Sequence, residues 1–166
     1  MKIFTEILLN YFQKLNIILP KNIDIKNIQM DSKKVEKGSL FIAINSGYNY
    51  IAEALEKGAE LVICDKKSVI KSEKIIEVLD SIKFLQEIAK LYREKLNIKI
   101  IAVTGSEGKT TTKDLIYGVL STKYKTKKTM GNYNNQIGLP FTLLQLKEED
   151  EVAVLEMGMS ALGEID

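Results

Sequence analysis

The first residues of the chain place apolar side chains at the spacing of an amphipathic helix. The apolar positions are Ile3, Phe4, Ile7, Leu8, Tyr11, Phe12 and Leu15. Because they recur every three or four residues, they would lie on one face of a helix. We expect this helix to end near Pro20, since proline has no backbone N–H to continue the helical pattern.

Short apolar runs and polar segments then alternate in the first half of the chain. The runs 38–44 and 61–64 predict buried strands, and residues 51–57 predict a short helix that ends at Gly58. This alternation of helices and strands predicts a small α/β domain over residues 1–78.

A second domain is predicted over residues 79–166. Asp80 is a suitable N-cap for a helix, and the apolar run 98–103 is typical of a parallel strand that is buried on both faces. A glycine-containing loop follows, then a predicted helix over 109–120 and a predicted central strand over 151–157. This order of elements favours a nucleotide-binding parallel sheet.

Composition and charge narrow the classes of function. Apolar residues make up 45% and charged residues 28% of the chain, as in a folded globular protein. The 24 basic and 22 acidic residues give a net charge of +2, which offers no argument for nucleic acid or an anionic membrane. No stretch approaches the roughly 18 apolar residues that span a bilayer, and the N-terminus does not resemble a signal peptide. We therefore expect a cytoplasmic protein without membrane insertion.

The near absence of histidine and cysteine excludes several kinds of site. There is no histidine, so these residues contain neither a Ser-His-Asp nor a Cys-His catalytic unit, and no His-ligated metal. The single cysteine, Cys64, excludes an internal disulfide and a cysteine-rich zinc site. It lies in the apolar run 61–64, which favours a buried small side chain over a reactive thiol.

The strongest local motif is a glycine loop between the predicted strand 98–103 and the predicted helix 109–120. Its glycines would let phosphate oxygens approach the backbone, and the helix N-terminus would add N–H donors and a partial positive charge. Lys109 would reach the β- and γ-phosphates, and the Thr110 hydroxyl would ligate Mg²⁺. The residues expected to bind the nucleotide are Gly105, Ser106, Gly108, Lys109, Thr110 and Thr111.

An acidic residue follows the last apolar run. Glu156 stands at the end of residues 152–155, and the carboxyl ends of strands are where parallel sheets bind ligands. This position favours a metal-binding or water-positioning role over a purely structural hydrogen bond. By contrast, the lysines at 123, 125, 127 and 128 are interpreted as a solvated face.

Three ordered motifs resemble those of the Mur ligases of peptidoglycan synthesis. They are VTGSEGKTTTK (103–113), TMGNYNNQIGLP (129–140), and EMG (156–158) with GEI (163–165). The pair Asp31-Ser32 and the segment 38–43 are similar to the N-terminal signature of that family. Lys113 and the second motif favour the family member that adds D-alanyl-D-alanine to UDP-N-acetylmuramoyl-tripeptide.

The resemblance implies an α/β protein that catalyses ATP-dependent amide formation through an acyl phosphate, with ATP and Mg²⁺. Residues 1–78 would bind the UDP-sugar substrate, and residues 79–166 would form the first part of a P-loop ATP-binding domain. Positioning and charge neutralisation carry most of such chemistry. Lys109 and Glu156 would be the catalytic residues, and Mg²⁺ would be bound by Thr110 and Glu156.

The resemblance also implies substrate-binding residues. Asn134 and Asn135 would lie near the junction of the UDP-sugar peptide and ATP, although an Asn pair also occurs as turn residues. Ser32 would lie near the UDP moiety. Segment 45–51 lacks the family's Asp-Gly-His-type sequence, which leaves uridine recognition to other side chains such as Tyr48.

Alternatives remain open at this stage. The chain would stop inside the ATP domain, so we expect the 166 residues to be an incomplete portion that is inactive alone. The same ATP domain occurs in the diaminopimelate- or lysine-adding Mur ligases and in folylpolyglutamate synthase. A non-catalytic module that binds a nucleotide or UDP-sugar is a third possibility.

Overall fold

The chain divides into two units, each with its own parallel sheet. The computed structural model describes residues 2–159, and packing divides the chain into Met1–Tyr92 and Arg93–Asp166, here unit 1 and unit 2. The motif 163–165 lies outside the described residues. The predicted α/β class, built on parallel strands, is confirmed.

Unit 1 contains a four-stranded parallel sheet with the strands in chain order. Its elements are α1 (Lys2–Lys14), β1 (Asn27–Gln29), β2 (Ser39–Ala43), α2 (Ile51–Glu56), β3 (Leu61–Cys64), β4 (Ile75–Glu77) and all but the last three residues of α3 (Ser81–Lys95). The central strands β2 and β3 are buried along their whole length, with Phe41 opposite Val62. The predicted strands and α2 are confirmed, with Gly58 at a φ of 93° just after the helix.

Helix α3 packs against α1 through aromatic rings. The rings of Phe12 and Phe84 stack with their centroids 5.5 Å apart, and Phe4 meets the edge of Tyr92 at 5.7 Å. The predicted N-cap is confirmed, since Asp80 Oδ1 accepts the N–H groups of residues 82 and 83 at 2.8 and 2.9 Å. The predicted domain boundary after residue 78 placed this helix in the second domain, whereas the division by packing follows Tyr92.

Unit 2 contains a three-stranded parallel sheet whose strand order differs from the chain order. Its elements are β5 (Lys99–Val103), α4 (Lys109–Leu120), β6 (Thr126–Lys128), α5 (Gly138–Leu144) and β7 (Val152–Glu156). Strand β7 lies between β5 and β6 and is fully buried. The register pairs Val103 with Glu156, so β5 and β7 end side by side.

Strand β5 corrects one expectation. Residues 98–103 were predicted to form a strand buried on both faces, but β5 lies at an edge of the described sheet and Val103 is its only buried residue. An apolar sequence alone does not show whether a strand is paired on both sides or lies at the edge of a sheet. Among the helices of residues 2–159, none combines the length and the apolar character that crossing a bilayer requires.

Candidate active site

Parallel pairing brings three segments of unit 2 to one edge of the sheet. The loop 104–108 connects β5 to α4, residues 129–137 follow β6, and Glu156 ends β7. Since all three strands are parallel, these segments leave the sheet at its carboxyl edge, where α/β folds bind ligands. The candidate site therefore combines residues that are far apart in the sequence.

The glycine loop has the open backbone that its sequence predicts. Gly105 and Gly108 have φ values of 146° and 74°, which side chains with a Cβ rarely adopt. A Cβ atom added at Gly108 would meet nothing within 4 Å, so the space next to the loop is free for a ligand. The Lys109 ammonium folds over the loop and donates to the carbonyls of Gly105 at 2.6 Å and Ser106 at 3.4 Å.

The side chain of Glu156 lies at the centre of a hydrogen-bond network. It is 3% exposed. Its Oε2 accepts a hydrogen bond from the Thr110 hydroxyl at 2.9 Å, and its Oε1 accepts one from Nδ2 of Asn134 at 2.8 Å. The backbone N–H of Glu156 donates to Oγ1 of Thr129 at 2.9 Å. Both carboxylate oxygens are thus held in fixed directions by neighbouring segments.

The charge of Glu156 is retained despite its burial. Burial alone would raise the pKa of this carboxyl, but hydrogen bonds from Asn134 and Thr110 and the nearby Lys113 ammonium outweigh burial and lower the pKa. The Lys113 ammonium lies 3.6 Å from Glu156 Oε2 and 3.5 Å from Asp114 Oδ1. Glu156 is therefore a carboxylate at neutral pH.

The donor set fits a hard divalent cation that is held in part by a second molecule. A hydroxyl and a carboxylate oxygen, from Thr110 and Glu156, are ligands that Mg²⁺ accepts. Within residues 2–159, no group of three or more His, Cys, Asp or Glu side chains could hold a metal alone. A cation here would need further oxygen ligands from a phosphate chain and water, which is the usual coordination of Mg²⁺ in nucleotide sites.

The two predicted asparagines have different surroundings. Asn134 bonds to Glu156, and its carbonyl accepts the N–H of Gly158 at 2.7 Å. Asn135 Oδ1 instead accepts the N–H groups of Ile137 at 3.1 Å and Gly138 at 2.8 Å, at the beginning of α5. Asn134 belongs to the network around Glu156, whereas these bonds of Asn135 match the alternative of a turn residue.

Ser32 lies in unit 1, in a separate polar cluster. Its side chain is buried, and its hydroxyl donates to Glu53 Oε2 at 2.9 Å. The Lys57 ammonium donates to the Ser32 carbonyl at 3.1 Å and to Glu53 Oε1 at 2.7 Å. The hydrogen bonds from Lys57 and Ser32 lower the pKa of Glu53.

Two residues of the network were not predicted as site residues. Lys113 follows Lys109 by four positions on α4, and this spacing places the two lysines on one face of the helix. Thr129 directly follows β6, so predicting its position at the carboxyl edge requires recognising that three-residue strand in the sequence. The lysines 123, 125 and 127 are exposed as predicted, but Lys128 is half-buried and pairs with Asp114 at 2.9 Å.

Two family models match the chain over most of its length. The model of the Mur ligase family, catalytic domain, matches residues 24–93, and the Mur ligase middle domain matches residues 103–166. The junction between the two matches falls near the packing division after Tyr92.

Curated relatives of known activity resemble the chain in sequence. It is 45% identical over 148 residues to the UDP-N-acetylmuramoyl-tripeptide–D-alanyl-D-alanine ligase of Bacillus subtilis, a match that covers 86% of the chain and 32% of the relative. It is 40% identical to the ligase of the same name from Synechocystis, over 89% of the chain and 34% of the relative. The chain thus spans about a third of the length of these relatives.

Solved structures agree with this similarity. The MurF ligase of Thermotoga maritima in complex with ADP superposes with a TM-score of 0.76 at 35% identity, over 88% of the chain and 35% of the ligase. A MurF from Acinetobacter baumannii gives a TM-score of 0.80 at 34% identity, over 96% of the chain and 36% of that structure.

Proposed function

The chain belongs to the Mur ligase family, and on this premise we propose that it is part of a ligase that joins D-alanyl-D-alanine to UDP-N-acetylmuramoyl-tripeptide with ATP. The observation that carries the proposal is the network in which Glu156 binds Thr110 and Asn134 beside the glycine loop. The relatives that carry this activity in their names support the choice of substrates.

We assign the two substrate sites to the two parts of the chain. Residues 1–78 would bind the UDP-sugar, with Ser32 near the UDP moiety, and residues 79–166 would contribute the ATP site. The ADP complex of the Thermotoga relative supports an adenine nucleotide at the second site. Because ATP is a cytoplasmic metabolite, we place the reaction in the cytoplasm.

The residues around the glycine loop would hold the triphosphate. The loop positions Gly105, Ser106 and Gly108 and the first turn of α4, with Thr111, offer backbone donors to phosphate oxygens. Lys109 would exchange its present carbonyl partners for the β- and γ-phosphates, since its ammonium already lies over the loop.

Thr110 and Glu156 would hold Mg²⁺ against the phosphates. When bound, the cation would neutralise charge on the phosphate oxygens. Glu156 would orient the Thr110 hydroxyl, because its Oε2 accepts the hydrogen bond from that hydroxyl. The hydroxyl oxygen would retain lone pairs for a metal. Asn134 would fix the other carboxylate oxygen, and Asn135 would lie next to the peptide substrate.

The reaction itself is acyl transfer by way of an acyl phosphate of the substrate. A carboxylate oxygen of the UDP-sugar peptide would attack the γ-phosphorus of ATP, and the bond from that phosphorus to the β,γ-bridging oxygen would break to release ADP. The amine of D-alanyl-D-alanine would then attack the acyl carbon, lose a proton and displace phosphate. The residues described here serve mainly to position groups and to balance charge.

Removal of Lys109 tests the nucleotide site directly. We expect Lys109→Ala to weaken Mg-ATP binding at least about tenfold, because a cation that contacts the phosphates is lost. Isothermal titration calorimetry would measure the change, with Lys123→Ala as the control since Lys123 is exposed outside the site. Unchanged binding in Lys109→Ala would refute the assignment of the glycine loop. The alternative of a non-catalytic binding module makes a different prediction. It would be favoured if a full-length ligase that contains this chain bound the nucleotide but showed no turnover with all substrates present.

A further inference from the structure

Helix α4 buries a lysine and exposes apolar residues. Lys113 is 3% exposed, whereas Leu115 and Val119 of the same helix are 67% and 71% exposed. An ammonium removed from water is unfavourable unless neighbouring groups compensate its charge. The charge of Lys113 is therefore compensated by the carboxylates that it faces, those of Glu156 and Asp114.

Lys113 acts on Glu156 through charge more than through a short hydrogen bond. Its ammonium is 3.6 Å from Glu156 Oε2 and 3.5 Å from Asp114 Oδ1, both longer than a short charge-assisted bond. The shorter bonds to the Glu156 carboxylate come from the uncharged groups of Thr110 and Asn134. Asp114 is shared with Lys128, which reaches it at 2.9 Å, so Asp114 offsets only part of the Lys113 charge.

The two lysines on this face of α4 have different freedom. Lys109 is only partly buried and contacts loop carbonyls, which it could exchange for phosphate oxygens. Lys113 is enclosed and faces the carboxylate that would bind the metal. A cation that enters the site therefore meets a carboxylate that is already paired with a fixed positive charge.

We propose that Lys113 is a positioning residue that suppresses binding of a bare divalent cation at Thr110 and Glu156 and so makes metal binding depend on the nucleotide. The inference rests on the proposed function of this site. A bare cation is repelled by the Lys113 charge at short range, whereas a cation bound to a polyphosphate arrives with negative charges that offset the repulsion.

The affinity for Mn²⁺ alone, measured by the electron paramagnetic resonance signal of the free ion, tests this role. Mn²⁺ prefers the same oxygen ligands as Mg²⁺. We expect Lys113→Met to bind Mn²⁺ at least about tenfold more tightly than the wild type without nucleotide, because a like charge beside the ligand is gone. Lys127→Met, which removes an exposed lysine, is the charge-matched control and should bind as the wild type does.

The gain should disappear in the double variant Lys113→Met with Glu156→Gln, which localises it to this carboxylate. An affinity of Lys113→Met equal to or below that of the wild type would overturn the proposal. If Lys113 served only to stabilise the fold, its replacement by Met would not raise the affinity for the metal.

Wild-type protein provides a second test if Lys113→Met does not fold. We expect Mn²⁺ to bind far more tightly with ADP present than without it. Equal affinity with and without ADP, at a site that Glu156→Gln abolishes, would overturn the inference. Failure of the wild type to bind ADP would instead refute the proposed function. In that case the role of Lys113 is decided by the bare Mn²⁺ affinities of the wild type and of Lys113→Met, wherever that variant folds.

Discussion

Three polar groups of Glu156 bond to two other segments of unit 2. One carboxylate oxygen binds Thr110 at the beginning of α4, the other binds Asn134, and the backbone N–H binds Thr129. The residue therefore joins the glycine loop to the segment after β6 as well as ending β7. Protonation of Glu156 would therefore lower the stability of the fold and weaken the binding of any metal.

The pH dependence of stability follows from the lowered pKa of Glu156. A carboxyl with a lower pKa in the folded state makes the unfolded state bind more protons between the two pKa values, so stability rises with pH in that window. Its contribution is complete above the ordinary value of 4.5 and is lost as the pH falls through the lower folded value. The Glu156→Gln variant should lack this part of the pH dependence.

Urea unfolding of wild type and Glu156→Gln at a series of pH values would measure this contribution. At neutral pH we expect the variant to be less stable by roughly 2 kcal/mol, because Lys113 stays buried while one of its two carboxylate partners is lost. The difference should shrink as the pH falls below 4.5. Glu107→Gln, in the exposed loop, is the control. A constant difference at all pH values would contradict the charged role of Glu156.

At the scale of elements, the longer helices and strands are predictable from the sequence, and the short ones are not. Helix α4 has the predicted bounds, and β7 is the central strand that its apolar run indicates. Strands β1, β4 and β6 contain three residues each, too few to display a period. Helix α5 begins with Gly-Leu-Pro, a sequence that is more typical of a loop.

The candidate site was predictable only in part, for a related reason. Glycine loops carry their own signature, so Lys109 and Thr110 follow from local sequence. The bond from Thr110 to Glu156 joins residues 46 positions apart and depends on the pairing of β5 with β7. Lys113 is buried beside the same carboxylate, and its neighbours in the sequence give no reason to expect a buried charge.

The N-cap of α3 offers a test at the scale of one element. Asp80 Oδ1 accepts two N–H groups of the first turn of this helix. We expect Asp80→Ala to lower the free energy of unfolding by about 1 kcal/mol, whereas Asp80→Asn, which can accept the same bonds, should stay within a few tenths of the wild type. Urea unfolding followed by circular dichroism measures both. Equal losses in the two variants would show that the charge of Asp80, and not its capping bonds, stabilises the helix.

At the scale of the whole molecule, the described sites account for only some of the substrates of the proposed reaction. Residues in unit 2 are proposed to hold Mg-ATP, and Ser32 in unit 1 is proposed to lie near the UDP moiety. None of the residues proposed here is assigned to the amine of D-alanyl-D-alanine. The chain also spans about a third of the length of its curated relatives.

We therefore expect the 166-residue polypeptide to bind Mg-ATP without sustained ligation. The phosphate site would be present, but positioning of all reactants contributes a large part of the rate in such reactions, and none of residues 2–159 is assigned to the amine. Phosphate release measured with ATP, UDP-N-acetylmuramoyl-tripeptide and D-alanyl-D-alanine together should stay at the background of the Lys109→Ala variant. The complete ligase of Bacillus subtilis serves as the positive control for the assay. Steady phosphate release that requires all three substrates would contradict this expectation, because it would place an amine site within these residues.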